Sequence, residues 1–288
     1  MKWRSLVSWL PFERFKNPPP RVSVVRLSGV IGSQAPLRKG LSLSDLAGIL
    51  NEAFEADNLK AVALAVNSPG GSPVQSSLIA RRIRALAKEN EVPVFAFAED
   101  VAASGGYWLL TAADEIYANE SSIIGSIGVI SAGFGFPAVL DRFGVERRVY
   151  ASGRNKAALD PFQREKPDEV QYLRGIQEEI HEAFREQVRD RRSGKLTASE
   201  EELFDGRFWT GTKAVELGLV DGIGDVRSVL RERYGEKVKL KVVSDGGPWW
   251  RRWMGLTRIR RSPLETGEWA GALVDAIEER AHWSRFGL

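Results

Sequence analysis

The sequence has no cysteine among its 288 residues and only two histidines, His181 and His282, which lie far apart. The lack of cysteine excludes a disulfide framework, a thiolate metal site and a cysteine nucleophile. Two distant histidines argue against a histidine-rich metal site within one chain. We therefore expect a protein that needs neither a metal nor another cofactor of its own.

Long apolar runs are also absent. No stretch approaches the roughly 18 to 20 apolar residues that a membrane-spanning helix needs, and the apolar stretches near the N-terminus are too short for a signal-peptide core. From this we expect a protein that is cytoplasmic or peripheral at a membrane. The formal net charge is only +3, and no nucleic-acid-binding signature accompanies the basic residues, so we expect no nucleic-acid partner.

Both ends of the chain differ from its middle. Residues 1–20 interleave tryptophan and phenylalanine with positive charge and end in three prolines, and residues 244–288 contain the run Trp249-Trp250-Arg251-Arg252-Trp253. Such segments could contact an anionic membrane surface, although the N-terminal arm could equally pack on its own protein or on a sister subunit. Residues 21–243 are predicted to form the globular domain, with a terminal helix in the C-terminal extension.

The middle of the chain alternates between apolar, β-branched runs and amphipathic segments. This alternation predicts βαβ units, a mainly parallel sheet and the α/β class. Ser44 is predicted to cap the first helix. The predicted strands include Arg21–Ile31, Leu59–Val66, one that begins at Val92, and Val145–Tyr150. Short segments are predicted near Glu115–Ala118 and Ile127–Ser131, and a long amphipathic helix from Asp168 to Ser193.

Two glycine-rich loops follow successive predicted strands. Pro69-Gly70-Gly71 follows one strand, and Ser104-Gly105-Gly106 follows the next. In parallel sheets, ligand sites gather where the loops leave the carboxyl ends of the strands. We therefore expect these two loops to face one crevice.

Ser104 is the candidate nucleophile in this crevice. Acyl transfer needs a nucleophile, a base within hydrogen-bond reach and an oxyanion hole. The backbone N–H groups of Gly70 or Gly71, together with that of Gly105, are candidate oxyanion donors. The alternative is that Ser104 is a helix N-cap in a tight turn. The residues alone leave the base open, and Ser122 and Ser126 are more typical of turn or cap roles than of catalysis.

Three motifs in order carry a family resemblance. They are Ala103-Ser104-Gly105-Gly106-Tyr107, Ile124-Gly125-Ser126-Ile127-Gly128-Val129 and Ser152-Gly153-Arg154-Asn155-Lys156. Together with Asn67-Ser68-Pro69-Gly70-Gly71, they resemble the signal peptide peptidase A family of the Clp protease/crotonase superfamily. The resemblance implies a Clp/crotonase-like fold, a serine peptidase with Ser104 as nucleophile, and Lys156 as general base in a Gly-x-x-Lys segment.

The same resemblance implies a homo-oligomer, in which a neighbouring subunit can complete the site, and hydrophobic peptide substrates such as cleaved signal peptides. A free lysine has a pKa of about 10.4, so a lysine base has to be desolvated or placed near positive charge. We therefore expect Lys156 to be partly buried.

Two alternatives share the same frame. A crotonase-like enzyme would hold a thioester oxyanion with the same N–H groups, and a non-catalytic scaffold would use the fold alone. A Clp-type histidine base is excluded on sequence order, since no histidine lies between Ser104 and His181, and His181 falls on a helix well past the predicted core.

Overall fold

The computed structural model describes residues 19–32, 41–244 and 280–287. Within these residues, eight strands form one sheet in the order β6-β5-β3-β2-β1-β8, with β4 pairing with β3 and β7. The pairs are parallel except β5 with β6, which is antiparallel. The predicted α/β class with a mainly parallel sheet is therefore confirmed.

The elements follow one another along the chain as alternating strands and helices. The strands are β1 (Arg21–Ser28), β2 (Leu59–Ser68), β3 (Val94–Ala103), β4 (Glu115–Ala118), β5 (Ile123–Gly125), β6 (Phe208–Thr210), β7 (Gly222–Ile223) and β8 (Lys239–Val243). The helices are α1 (Leu43–Phe54), α2 (Pro73–Asn90), α3 (Gly105–Leu110), α4 (Pro137–Phe143), α5 (Pro167–Arg191), α6 (Glu200–Leu203), α7 (Gly211–Glu216) and α8 (Val226–Tyr234).

Strand β2 lies in the middle of the sheet and is buried on both faces. Its residues alternate between two apolar clusters, because successive side chains of a strand point to opposite faces. Val62, Leu64 and Val66 pack with helices α1, α2 and α3 on one face. Ala61 and Ala63 pack with residues of α8 on the other. This two-sided burial explains why the run from Leu59 to Val66 is almost continuously apolar.

Several local predictions were wrong. The side chain that caps α1 belongs to Ser42, which accepts a hydrogen bond from the Asp45 N–H, and not to Ser44. Residues 145–150 are not a strand. The short segment predicted near Ile127–Ser131 follows strand β5 and is itself irregular. The C-terminal extension and the N-terminal arm lie almost wholly outside the described residues. None of the described helices is long and apolar enough to cross a bilayer.

The strand prediction was wrong in a region where apolar side chains lie on the surface. From residue 130 to residue 156 no residue is buried, and α4 buries none of its side chains. We call the apolar side chains of this region the apolar flank: Ile130, Phe134, Phe136, Val139, Phe143, Val145, Val149 and Tyr150. Phe134 is 82% exposed and Tyr150 is 93% exposed. Exposed apolar side chains that gather in one segment in this way are typical of an interaction site.

A buried arginine anchors the C-terminal end of α5. The Arg192 guanidinium, whose side chain is 2% exposed, lies 2.7 Å from the Asp221 carboxylate and donates two hydrogen bonds to the Gly218 carbonyl. Asp221 also pairs with Lys195 at 2.7 Å. Hydrogen bonds from both cations keep the pKa of Asp221 below its usual value, against the opposing effect of burial.

We expect Arg192→Ala to lower the free energy of unfolding by about 1–3 kcal/mol, because it leaves the buried Gly218 carbonyl without its donor and takes from Asp221 one of its two cations. Chemical denaturation measures the loss. The control is Arg189→Ala on the same helix, which removes partly exposed ion pairs with Glu182 and Glu200 and should cost about 1 kcal/mol or less. Equal losses in the two variants would show that the buried cluster does not anchor α5.

Candidate active site

Ser104 lies at the junction of β3 and α3. Its N–H donates to the Gly125 carbonyl at 2.7 Å, and its carbonyl accepts from the Trp108 N–H at 3.1 Å. It occupies the N-cap position of α3, but its side chain makes no capping hydrogen bond within the described part of the chain. The N-cap alternative therefore does not account for the hydroxyl, although it does account for the position.

The backbone of Ser104 is held in an unfavourable conformation. Its φ is 53° and its ψ is −121°, a region in which a residue with a Cβ costs about 1–3 kcal/mol. The hydrogen bonds at its N–H and carbonyl fix this conformation from both sides. Strain of this kind is characteristic of positions where a side chain has to be presented in a set direction.

The glycine loops pack against each other as predicted. A Cβ added at Gly70 would lie 2.8 Å from the Ser104 Cβ and 3.1 Å from the Gly105 nitrogen, so only glycine allows this approach. A Cβ added at Gly71 would lie 2.1 Å from the Ile31 carbonyl oxygen. The two loops thus meet at the nucleophile candidate, and their backbones are closer than any side chain would permit.

The three candidate oxyanion donors are not equivalent. The Gly70 N–H donates to the Ser68 hydroxyl at 3.2 Å and is thereby engaged. Gly71 lies between two hydrogen bonds to Ile31, one from the Ile31 N–H to the Gly70 carbonyl and one from the Ser72 N–H to the Ile31 carbonyl. Because successive N–H groups of an extended chain point to opposite sides, the Gly71 N–H points away from Ile31.

The Gly105 N–H is the first of α3. Amide groups in the first turn of a helix have no partner within the helix. Gly71 and Ser104 line the same cavity. Of the three candidate oxyanion donors, the N–H groups of Gly71 and Gly105 therefore remain candidates.

Side chains at the strand ends hold the two loops in place. Asn67, at the end of β2, donates to the Asp100 carboxylate at 2.7 Å and accepts from the Val101 N–H at 3.2 Å. These bonds tie the end of β2 to the part of β3 that precedes Ser104. Ser122 donates to the Glu99 carbonyl at 2.5 Å, which is a structural role.

An open cleft of about 790 Å³ contains Ser104. Its walls come from the loops after β1, β2, β3 and β5, from the start of α2, from α5, from the loop before β6, and from the segment 280–287. The lining residues are Val30, Ile31, Gly32, Pro69, Gly71, Ser72, Pro73, Ser104, Ser126, Gly128, Val129, Ile130, His181, Phe204, Asp205, Gly206, His282 and Arg285. The cleft is large enough for an extended peptide segment.

His181 lies in this cleft, which its place in the sequence did not predict. It lies in the C-terminal half of α5, and its Nε2 is 3.2 Å from the Ile127 carbonyl oxygen. Its distance from Ser104 in sequence had suggested that the two were unrelated. The path of α5 across the loop after β5 brings them into one cavity, and a single sequence carries no signal for that path.

Lys156 does not line the cleft in the single chain. It is exposed, so the predicted partial burial is not seen in the described part of this chain. Its N–H donates to the Gly153 carbonyl in a turn, and the following residues are fastened to α5, where the Leu159 N–H donates to Glu169 at 2.8 Å. The turn thus belongs to the same exposed region as the apolar flank.

One protein-family model matches the chain over more than half of its length. It is the model of Peptidase family S49, and it matches residues 86–241. A Brucella abortus protein named "Na(+)/H(+) antiporter NhaA" is 51% identical over 281 residues, covering 96% of this chain and 38% of that protein. An Enterococcus faecium protein named "Putative signal peptide peptidase SppA" is 37% identical over 190 residues, covering 65% of this chain and 54% of that protein.

The chain therefore spans between 38% and 54% of the length of these two relatives. Among solved structures, a mutant of the 1510-N membrane-bound stomatin-specific protease is similar with a TM-score of 0.49 and 15% identity, covering 80% of this chain and 100% of that one.

Proposed function

Because the chain belongs to peptidase family S49, we propose that it is a serine endopeptidase in which Ser104 is the nucleophile and Lys156 the general base. The observation that carries the proposal is Ser104 itself: its backbone is strained, its side chain makes no capping hydrogen bond within the described residues, and it lines the same cleft as Gly71. The hydroxyl attacks the carbonyl carbon of the scissile peptide bond and gives its proton to the base. The base then protonates the leaving amine, and water releases the acyl group in the reverse sequence.

The N–H groups of Gly71 and Gly105 hold the oxyanion of the tetrahedral intermediate. Donors fixed before the reaction stabilise this charge without reorganisation, which is why such groups contribute strongly to catalysis. Gly70 has a different role from the one its sequence position suggested. Its lack of a side chain allows the Gly105 N–H to come close, while its own N–H stays on Ser68.

On this proposal, Lys156 of one copy of the chain completes the cleft of a second copy. The turn that carries it is exposed and follows the apolar flank in sequence, and exposed apolar side chains of this kind favour a partner. Docking of the flank on a neighbouring subunit would remove Lys156 from water, and desolvation lowers the pKa of a lysine toward the range in which it accepts a proton. A homo-oligomer with shared sites meets both needs.

The substrates are hydrophobic peptides, such as cleaved signal peptides. The relative named for signal peptide cleavage supports this class, and the open cleft suits an extended chain. Peripheral membrane contact through residues 1–20 and 244–288 stays a prediction, as most of these residues lie outside the described part. Family membership favours the peptidase over a crotonase-like enzyme on acyl-CoA or a scaffold.

His181 is the second candidate for the base, because it lines the cleft of its own chain. We expect Lys156→Ala to lower the rate of peptide cleavage by about 10²–10⁴-fold, the range for loss of a general base, and His181→Ala to lower it by less than tenfold. The measurement is cleavage of a fluorogenic hydrophobic peptide. Arg154→Ala, in the same exposed turn, is the matched control and should stay active, with assembly of each variant checked by light scattering.

Mixing two inactive variants separates shared from unshared sites. If Lys156 is supplied by a neighbour, mixed assemblies of Lys156→Ala and Ser104→Ala subunits recover part of the activity, since some interfaces pair an intact serine with an intact lysine. No recovery in assemblies shown to be mixed would place both groups in one subunit. A larger loss in His181→Ala than in Lys156→Ala would make His181 the base.

A further inference from the structure

A groove of about 540 Å³ runs between α2 and α5. It is separate from the cleft that contains Ser104, because Pro73 alone among the described residues lines both. The residues that line the groove are Pro73, Val74, Ser77, Leu78 and Arg81 of α2, Trp108 of α3, and Glu179, Ile180, Ala183, Glu186, Gln187 and Asp190 of α5.

The groove presents apolar side chains that the described part of the chain leaves exposed. Val74 and Leu78, one turn apart on α2, are 64% and 39% exposed, and the opposite face of this helix is buried in the core. On α5, Ile180 is partly buried and Ala183 is exposed. Apolar side chains gathered in a groove between two helices are typical of a surface that binds an amphipathic helix.

The α5 side of the groove is acidic. Glu179, Glu186 and Asp190 are exposed, and none of their side chains forms an ion pair or a hydrogen bond within the described ranges. A neighbouring acid that faces away from the groove is paired, since Glu182 lies 2.7 Å from Arg189. The groove lining contains three acids and one arginine, so it suits a partner that is apolar and positively charged.

The N-terminal arm has this chemistry in its sequence. Residues 1–18 contain four cationic residues and one acidic residue. At 3.6 residues per turn, Lys2 and Arg4 fall on either side of one apolar stripe. The spacing i, i+3, i+4 and i+7, which predicts such a stripe on a helix that binds in a groove, is that of Trp3, Leu6, Val7 and Leu10.

The arm joins the body at the edge of the sheet where the strands begin. There, the Pro19 carbonyl accepts a hydrogen bond from the Asn58 side chain at 3.0 Å. The Asp190 end of the groove lies at the same edge, because Arg191 donates to the Ala113 carbonyl at 2.8 Å, just before β4. Three strand spacings of about 4.8 Å separate β1 from β4, whereas the eight residues before Pro19 can span up to about 26 Å.

We propose that the N-terminal arm docks in this groove of its own chain as an amphipathic helix. The apolar stripe of residues 3–10 lies against α2 and α5. Because the chain enters from the Asp190 end, Leu6 lies near Leu78, and Arg4 lies near Glu179. The stripe is about 10 Å long and the row of acids about 16 Å long at 1.5 Å per residue, so the helix fits along the groove. This docking does not depend on peptide cleavage.

The absence of cysteine from the sequence makes paired cysteines a clean test in the full-length protein. Leu6→Cys combined with Leu78→Cys is treated with a short bis-maleimide, and the linked peptides are identified by mass spectrometry. Leu6→Cys with Lys88→Cys is the matched control, because Lys88 is exposed on the same helix, nearer the edge where the arm begins, and does not line the groove. The first pair should form an intramolecular link at least about fivefold faster, since docking raises the effective concentration at one position.

Charge exchange tests the orientation of the arm. In the variant that carries Leu6→Cys and Leu78→Cys, a further Glu179→Lys should slow the link about two- to fivefold, as expected for one exposed ion pair. Adding Arg4→Glu should restore the rate, because the pair then has its signs reversed. A loss that Arg4→Glu does not restore overturns the placement of Arg4 beside Glu179.

The other outcomes assign the arm elsewhere. Equal rates for the Leu78→Cys and Lys88→Cys pairs overturn docking in the groove, and flotation of the unaltered protein with phosphatidylserine vesicles would then assign the arm to a membrane surface. A link that joins two chains, seen as a dimer on a denaturing gel, overturns docking within one chain and makes a second copy the receiver. A fast intramolecular link with Leu78→Cys alone supports the proposal.

Discussion

Ser104→Ala is expected to lower kcat for peptide cleavage by more than about 10³-fold, since removal of a serine nucleophile leaves only the contributions of binding and the oxyanion hole. Ser104→Gly should be equally inactive but more stable than Ser104→Ala. Glycine adopts a φ of 53° without the penalty that a Cβ carries. The expected difference is about 1 kcal/mol, the low end of the strain range, because glycine also gains freedom in the unfolded chain.

Peptide cleavage and chemical denaturation measure the two effects separately. Ser121→Gly serves as the control for stability, because Ser121 is an exposed turn residue without a positive φ and should gain nothing from the change. Full activity in Ser104→Ala would refute the proposal that this chain is a serine peptidase with Ser104 as its nucleophile. If Ser104→Gly is inactive but no more stable than Ser104→Ala, Ser104 remains the nucleophile, and the proposal that its backbone is strained is refuted.

Gly71→Ala is expected to lower kcat by about 10²–10³-fold, the usual effect of losing one oxyanion donor. The new Cβ would lie 2.1 Å from the Ile31 carbonyl oxygen and 2.8 Å from the Ile31 nitrogen, at a φ of 136°. Because both neighbours are backbone atoms, the loop itself has to move, and the Gly71 N–H moves with it. The measurement is kcat for a peptide that the unaltered protein cleaves.

Gly29→Ala separates the cost of the backbone angle from the cost of the clash. Gly29 has a φ of 111°, but an added Cβ meets nothing within 4 Å. It should therefore lose some stability and keep its kcat. If Gly71→Ala loses stability only, to the same degree as Gly29→Ala, with kcat intact, the Gly71 N–H does not hold the oxyanion.

The sequence predicted the centre of the fold well because burial there is decided by local pattern. The apolar run of β2 and the two glycine loops needed no knowledge of distant residues, since a strand followed by Gly-Gly has few structural alternatives. The same locality placed Ser104, Gly71 and Gly105 at one edge of the sheet. Their mutual contact followed from the rule that carboxyl ends of parallel strands share an edge.

The failures share a physical cause. Val145 and Val149 are apolar and β-branched, which favours a strand, yet they are exposed because no element within the described ranges covers them. An apolar pattern says that a residue is shielded from water, but it does not say by what. The sequence did not predict the position of His181 for a related reason. The face that α5 turns toward the sheet depends on packing against other elements and not on the periodicity of α5 itself.

Helix α5 has 25 residues, which at 1.5 Å per residue makes it about 37 Å long. Its C-terminal end is seated in the core through Phe184, Val188 and Arg192, while its first turn holds the exposed segment after Lys156 through Glu169. Because a helix does not stretch, its length sets the distance between the core of the subunit and the exposed turn that carries Lys156. If neighbouring subunits share their sites as proposed, the length of this one helix therefore determines the distance between neighbouring active sites in the assembly.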